Sequence, residues 1–146
     1  MSDAYLQREL HADLETPVSA YLKLGHREPW SLLYESVEGA ERWASYSVIA
    51  IGARRSFEIS SETLTVRENG LERRTPAKDP LDALREATAF PLPLPSSDAP
   101  AFVGGVFGFL SYDAVRVFEP IGENTKPAEC PDALFFEPEL YAGVDN

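Results

Sequence analysis

The sequence predicts an α+β fold with mainly antiparallel sheets and a few helices. Short apolar segments rich in β-branched and aromatic residues recur along the chain between turn-forming residues. Two other segments carry helix start signals, Thr16-Pro17 and Asp79-Pro80. These strands and helices do not alternate in the regular order that builds a parallel sheet. We therefore expect antiparallel strand pairing with helices packed beside it.

The N-terminal third contains two predicted helices and two predicted strands. Residues 3–14 have a weak helical pattern of apolar side chains. Thr16 is a candidate N-cap for a helix that runs through Leu24 and ends at Gly25. The apolar segments from Trp30 to Ser36 and from Tyr46 to Ile51 are typical of strands.

The remainder is predicted to form a meander, two helices and two late strands. Asn69-Gly70 indicates a two-residue hairpin, because both residues tolerate positive φ, and the run from Ile49 to Arg74 resembles an antiparallel meander. Asp79-Pro80 opens a helix extending to about Phe90. The last predicted elements are a strand at Phe102–Tyr112, a short helix at Asp113–Phe118 and one strand at Leu134–Val144.

Composition excludes several classes of function. The chain has 146 residues, 44% of them hydrophobic, and a formal net charge of −11. This charge argues against a nucleic-acid partner, since phosphate contacts need clustered Lys and Arg. The single cysteine, Cys130, permits no internal disulfide and fits a reducing cytoplasm. The sequence has no apolar run of transmembrane length, so we also expect no membrane association.

The segment from Ser31 to Gly52 carries the most information about function. It contains two strand-like runs, with Glu35-Ser36 closing the first and Arg42-Trp43 and Tyr46-Ser47 opening the second. Strand ends place polar side chains at the rim of a sheet, where they can reach a ligand. Chemistry alone nevertheless favours a solvated strand end over a ligand site.

A second segment, Phe102–Arg116, contains three glycines within an apolar strand. Missing side chains at Gly104, Gly105 and Gly108 allow close approach of another backbone or a ligand. The segment is not a phosphate loop, because it lacks the Lys-Ser/Thr that follows in a P-loop and the spacing of a dinucleotide motif.

Three motifs, in order along the chain, resemble component I of the anthranilate synthase family. They are Thr16-Pro17-Val18-Ser19-Ala20-Tyr21-Leu22-Lys23-Leu24, the Ser31–Gly52 segment and the Gly-rich segment ending at Tyr112-Asp113-Ala114-Val115-Arg116. Tyr34 is a departure, since a leucine is usual there. The resemblance implies that part of a tryptophan feedback-inhibition site lies here, with Glu35 and Ser36 meeting the ammonium group and Leu33 the indole. The residues it implies for this site are Leu33, Glu35, Ser36, Arg42, Tyr46 and Ser47.

The resemblance also implies what lies outside the sequence. The family converts chorismate to anthranilate and pyruvate with Mg²⁺, and takes ammonia from a glutamine amidotransferase, component II. Its catalytic and metal residues belong to a C-terminal chorismate-binding domain whose motifs are absent here. We therefore expect residues 1–146 to be the N-terminal domain of a larger two-domain architecture, with neither a catalytic nor a metal residue of their own.

Two alternative functions and one further expectation remain. Component I of aminodeoxychorismate synthase, on the folate route, shares the architecture. A stand-alone binding domain without an attached enzyme is the other alternative. We also expect self-association, because the Phe102–Phe118 segment and Phe135-Phe136 are apolar enough to need a covering surface.

Overall fold

The predicted α+β class is confirmed. The computed structural model describes residues 6–35, 46–77, 79–89, 105–117, 119 and 130–145. These residues form two helices, a 3-10 helix and two antiparallel sheets, and the chain divides into two compact units. The first unit contains α1 (Pro17–Leu24), β1 (Ser31–Tyr34), β2 (Tyr46–Ile51) and β8 (Leu140–Asp145). The second contains β3 (Arg55–Ser60), β4 (Thr63–Glu68), β5 (Leu71–Pro76), α2 (Pro80–Ala87), β6 (Phe107–Leu110), the 3-10 helix (Tyr112–Val117) and β7 (Ala133–Glu137).

Helix α1 begins and ends as predicted. The Thr16 hydroxyl accepts a hydrogen bond from the Ser19 backbone N–H at 3.1 Å, and the Ser19 hydroxyl accepts one from the Thr16 N–H at 2.8 Å. This reciprocal capping box satisfies donors that the first turn leaves unpaired. Gly25 caps the other end, and its N–H donates to the Tyr21 carbonyl. Local sequence alone therefore determines the limits of this helix.

The three-stranded sheet of the first unit has the order β1-β2-β8. The central strand β2 is buried from Ser47 to Ala50, and the Ser47 and Ile49 side chains are fully enclosed. Such a run of buried residues is typical of a strand that is covered on both faces. The sheet is therefore built around β2, with β1 and β8 as its outer strands.

The five-stranded sheet of the second unit has the order β5-β4-β3-β7-β6. One face forms the hydrophobic core of the unit, and α2 packs on that core. The core side chains are Phe57, Ile59, Leu64, Ala77 and Ala133, against which Ala83, Leu84 and Ala87 of α2 pack. The Asp79 carboxylate caps α2 by accepting the N–H groups of Leu81 and Asp82, as the sequence predicts.

Two tight turns join the strands β3, β4 and β5. The Asn69-Gly70 hairpin is confirmed, with φ of 51° and 75°. The preceding hairpin turns through Ser61 and Glu62, whose φ values of 48° and 58° are unusual for residues with a side chain. The Asp132 carboxylate accepts the Ser61 N–H at 3.2 Å, so a residue distant in sequence supports this strained turn.

Two strand predictions are wrong in their pairing. The run from Ile49 to Arg74 is not one meander, because β2 pairs with β1 and β8 while the meander comprises only β3, β4 and β5. The predicted strand from Leu134 to Val144 is two strands, β7 and β8, that belong to different sheets. Both errors have one cause, since apolar patterns mark strands without specifying their partners.

The predicted N-terminal helix is also wrong where the structure describes it. Residues 6–14 have no helical or strand structure, and the Leu6 and Leu14 side chains are 99% and 98% exposed. A short helix in water gains its stability mainly by packing an apolar face. These leucines contact no such surface, so the weak pattern has nothing to stabilise it.

Within the described residues, part of the apolar surface predicted to drive self-association is buried, and residues 102–104 and 118 of that surface lie outside the described ranges. Phe107 and Phe136 are buried and Phe135 is half-buried against the core of the second unit. Phe109, Leu110 and Tyr112 remain exposed. Part of the predicted patch is thus core, because β6 pairs with β7.

As for membranes, we find no helix in the described ranges with the length and apolar character needed to span one.

Candidate functional site

Four of the candidate ligand-binding residues are described by the structure, and they lie where β1 ends and β2 begins: Leu33, Glu35, Tyr46 and Ser47. In the antiparallel register of these strands, Leu33 is opposite Ile49 and Tyr34 is opposite Val48. The same register, continued by one residue, would bring Glu35 opposite Ser47. Neighbouring strands therefore bring residues that are far apart in sequence to one rim of the sheet.

Two of the candidate residues, Leu33 and Ser47, share one face of this sheet, and Glu35 directly follows β1. Residues directly opposite each other in antiparallel strands point to the same face, as do alternate residues of one strand. Leu33 therefore shares a face with Ile49 and Ser47, and Glu35 follows Leu33 at the spacing of two. The side chain of Tyr46 points to the other face, because Tyr46 is the neighbour of Ser47 in β2. The backbone of Tyr46 pairs with Asp145 of β8.

Helix α1 covers the opposite end of the same face. The Tyr21 hydroxyl and the Ser31 hydroxyl form a hydrogen bond of 3.1 Å, and Ser31 is opposite Ile51. A Cβ added at Gly25 would lie 3.2 Å from Ile51 Cγ1, so the end of the helix sits directly on the sheet. The Ser31 end of the face is thus covered by the helix, while Glu35 follows β1 at its other end.

Exposure separates the roles that these residues can play. Ser47 is fully buried, Leu33 is half-buried and Glu35 is exposed. A buried hydroxyl can shape the sheet beneath a ligand, whereas an exposed carboxylate can accept a charge-assisted hydrogen bond from an ammonium group. Together with Leu33, two residues earlier in the chain, this carboxylate offers groups suited to a ligand with both a cation and an apolar body. Ser36 and Arg42, the other two predicted residues, lie outside the described residues.

An ion pair connects the two ends of α1 on its polar side. The Glu15 carboxylate accepts hydrogen bonds from the Lys23 ammonium and, at 2.7 Å, from the Ser19 hydroxyl. The Lys23 bond is the main cause that lowers the pKa of Glu15, with the Ser19 bond second. This contact ties the residue before the helix to its last turn.

The structure adds residues to this region that the sequence reasoning missed. Tyr21 and Ser31 connect α1 to β1, and β8 supplies the neighbour on the far side of β2. The approach of α1 could have been expected, because only a short turn separates it from β1. Nothing in the sequence indicated that β8 pairs with β2, since β8 comes from the opposite end of the chain.

No metal site is assigned within the described ranges. Among those residues, no group of three or more His, Cys, Asp or Glu side chains is arranged to hold an ion. The acidic groups that do converge are paired with arginines. Glu58 and Glu72, for example, both accept hydrogen bonds from Arg67.

Comparison with known proteins gives a consistent result over nearly the whole chain. No protein-family model matches it. It is 45% identical over 137 residues, 92% of the chain, to anthranilate synthase component 1 of Thermus thermophilus. It is 34% identical over 142 residues, 97% of the chain, to the protein of that name from Aquifex aeolicus. The resemblance predicted from the three motifs is therefore confirmed.

A solved structure gives the same result. The chain is similar to the crystal structure of anthranilate synthase component I from Streptococcus pneumoniae, with a TM-score of 0.51 and 27% identity over 97% of the chain. The chain covers 28% and 29% of the two bacterial relatives and 29% of that structure. It thus spans less than a third of the proteins that it resembles.

Proposed function

We propose that this chain, which resembles anthranilate synthase component I over nearly all of its length, is the N-terminal domain of such an enzyme. The observation that carries the proposal is the 45% identity to the Thermus thermophilus protein across 92% of the chain. It includes the region of all three motifs. The same residues contribute one wall of a regulatory site for tryptophan.

The geometry of the β1–β2 rim supports this regulatory role. Tryptophan presents an ammonium group and an indole ring, and the rim offers the exposed carboxylate of Glu35 and the apolar side chain of Leu33. Ser47 lies on the same face but is fully buried, so we assign it to the positioning of the strands. Tyr46, on the opposite face, is the candidate that the geometry supports least. Ser36 and Arg42 remain part of the proposed site on the resemblance alone.

The proposal extends to the longer polypeptide. We propose that it converts chorismate to anthranilate and pyruvate in the cytoplasm, with ammonia delivered by a glutamine amidotransferase subunit. Mg²⁺ would supply electrostatic stabilisation of the substrate during the elimination. We assign no ligand for it to the described residues of this chain, because none of their acidic groups forms a suitable cluster.

The folate-route enzyme is the closest alternative. The relatives compared above are named for anthranilate synthesis, which favours the tryptophan route. Product analysis of the longer polypeptide distinguishes the two, because anthranilate and aminodeoxychorismate are chemically different. A stand-alone binding domain would give neither product.

The assay of anthranilate fluorescence tests the proposal directly. The 146-residue chain is incubated with chorismate, Mg²⁺ and ammonium, and the longer polypeptide is the positive control. We expect the longer polypeptide to form anthranilate and the 146-residue chain to form none. Anthranilate formed by the 146-residue chain, or aminodeoxychorismate formed by the longer polypeptide, would contradict the proposal.

A further inference from the structure

The tip of the hairpin between β4 and β5 consists of two residues, Asn69 and Gly70. Both are exposed, and both have positive φ, 51° and 75°. Backbone pairing ends at Glu68 and Leu71, the residues on either side. This is the geometry of a two-residue turn for which Asn-Gly is a preferred sequence. The turn therefore holds an asparagine directly before a glycine at the surface of the protein.

Asn-Gly is also a chemically reactive sequence. The backbone nitrogen of the residue after an asparagine can attack the carbonyl carbon of the side-chain amide, and glycine hinders this attack least because it has no Cβ. Of the three asparagines, Asn69, Asn124 and Asn146, only Asn69 has a glycine after it in this sequence. Asn124 precedes Thr125, whose branched Cβ crowds the backbone nitrogen. Asn69 is therefore the asparagine best suited to this reaction.

The structure leaves the attacking nitrogen accessible. Gly70 lies in the turn, outside the paired residues of both strands, and among the described residues its N–H donates no backbone hydrogen bond. A Cβ added at Gly70 would meet no atom within 4 Å, so the space around this residue is open. Neither a ladder hydrogen bond nor a neighbouring group of the described residues must be displaced before the nitrogen reacts.

The turn can open without unfolding the rest of the unit. Ring closure changes the backbone dihedral angle between Cα and the carbonyl carbon of Asn69, so the turn must open for it. All six residues of β5 are exposed, and among the described strands β5 pairs with β4 alone. Beyond β5, Ala77 is buried and donates its N–H to the Glu62 carbonyl at 2.6 Å. The far end of the strand is thus held while its exposed tip opens at low cost.

We propose that Asn69 is a site of spontaneous deamidation in the folded protein, and that its isoaspartyl product loosens the β4–β5 hairpin. The Gly70 nitrogen loses its proton to a base in solution and bonds to Asn69 Cγ. The bond from Cγ to the amide nitrogen breaks, and ammonia leaves after taking a proton from solvent. Water then opens the cyclic imide at either carbonyl, giving aspartate or isoaspartate. The proposal does not depend on the function proposed above.

The two products differ in backbone and not in charge. Each adds one negative charge to the formal net charge of −11. Aspartate leaves the backbone unchanged, and Asp-Gly favours the same turn type as Asn-Gly. Isoaspartate lengthens the backbone of the turn by one carbon atom, so the turn no longer matches the register of β4 and β5. Only isoaspartate is therefore expected to loosen β5.

Peptide mapping by mass spectrometry tests the first part of the proposal. The folded 146-residue chain is kept in mildly alkaline buffer, and its tryptic peptide of residues 68–73 is compared with a sample taken at the start. We expect this peptide to gain the mass difference between OH and NH2 at least about tenfold faster than the peptides containing Asn124 and Asn146. Asn69→Gly is the matched control, because Gly-Gly keeps the turn and removes the reacting amide.

A synthetic peptide of residues 63–76 provides the unfolded reference, since an isolated hairpin is marginally stable in water. We expect deamidation of the folded chain at no less than about a tenth of the rate of this peptide. A slower reaction would show that the hairpin protects Asn69, and it would overturn the proposal. Equal rates at Asn69 and at either other asparagine, or formation of aspartate without isoaspartate, would also overturn it.

Hydrogen exchange tests the effect on the hairpin. Anion exchange separates the deamidated chains, and the isoaspartyl form is compared with freshly purified Asn69→Asp, which has the same charge and a normal backbone. We expect the β5 amides to exchange at least about tenfold faster in the isoaspartyl form, while the β3 amides exchange at the same rate in both. Equal exchange of β5 in the two proteins would contradict the proposed loosening, and faster exchange of β3 would contradict its confinement to the hairpin.

Discussion

The guanidinium of Arg55 donates a hydrogen bond from Nε to Glu137 Oε2 at 2.6 Å, joining β3 to β7 across 82 positions of sequence. The Glu137 side chain is only 8% exposed, and Arg55 is 22% exposed. Glu68 on β4 approaches the same nitrogen from the other side at 3.8 Å, and it is half-exposed. One arginine thus connects the acidic groups of its two neighbouring strands at the edge of the core.

Arg55→Met should destabilise the chain by about 2–3 kcal/mol, because it leaves the carboxylate of Glu137 buried without its partner. Glu68→Gln is the matched control and should change the free energy of unfolding by less than about 0.5 kcal/mol, since an exposed ion pair contributes little. Urea denaturation followed by circular dichroism measures both. Equal effects of the two substitutions would show that burial of Glu137 does not determine the strength of this contact.

Gly108 is required by the close approach of β6 to β7. A Cβ added there would lie 2.0 Å from the Leu134 carbonyl oxygen and 2.6 Å from Phe135 Cα. These are backbone atoms of the paired strand, so they cannot move aside as a flexible side chain could. Gly108→Ala should therefore cost at least about 2 kcal/mol and disturb the pairing of β6.

Gly143→Ala on β8 is the control for Gly108→Ala. A Cβ at Gly143 would meet no atom within 4 Å, and the residue has ordinary strand geometry. Replacement of a strand glycine by alanine should be neutral or stabilise the fold by up to about 1 kcal/mol. Thermal unfolding of the two variants compares them, and a Gly108→Ala protein as stable as the parent would refute the close approach.

Acid should weaken the charge network on β4 and β5. The hydrogen bond from Arg67, followed by that from Arg74, lowers the pKa of Glu72 in the folded state. A carboxyl group with a lowered folded pKa contributes stability above its unfolded pKa of about 4.3, and this contribution is lost as the pH falls through the folded pKa. Arg67 also donates a hydrogen bond to Glu58, with 2.7 Å between Arg67 Nη1 and Glu58 Oε2, so the two glutamates share this arginine.

The Glu72→Gln variant tests this dependence. Urea midpoints of the parent and the variant are measured from about pH 7 to about pH 3. We expect the parent to be the more stable at neutral pH and the difference to shrink as the pH falls below about 4.3. A difference that stays constant over this range would mean that the ionised form of Glu72 contributes nothing.

Capping and turn residues predicted α1, α2 and the Asn69-Gly70 hairpin well. Thr16-Pro17 with Gly25 determined α1, and Asn69-Gly70 determined the hairpin between β4 and β5, because caps and turns depend on a few neighbouring residues. The sequence also identified the residues that begin β2. These features need no knowledge of distant parts of the chain.

Strand partners and covering surfaces were not predictable in this way. β8 pairs with β2 although residues 52–139 lie between them, and β7 separates from β8 after only two residues. The apolar pattern of 6–14 indicated a helix, yet the leucines have no surface to pack on. At the site, the strand register places Leu33 and Ser47 on one face and Tyr46 on the other, which spacing alone did not reveal.

In the function proposed above, the rim formed by β1 and β2 contributes a tryptophan site to an anthranilate synthase. The most direct test of this proposal is inhibition of ammonia-dependent anthranilate formation by tryptophan in the longer polypeptide, with and without Glu35→Ala. We expect turnover without tryptophan to be unchanged and the inhibition constant to rise about tenfold to a hundredfold, since a hydrogen bond to a charged group contributes roughly 1.5–3 kcal/mol. Ser36→Ala should shift the constant in the same direction by less. An inhibition curve unchanged by Glu35→Ala, or loss of turnover in the absence of tryptophan, would contradict the account.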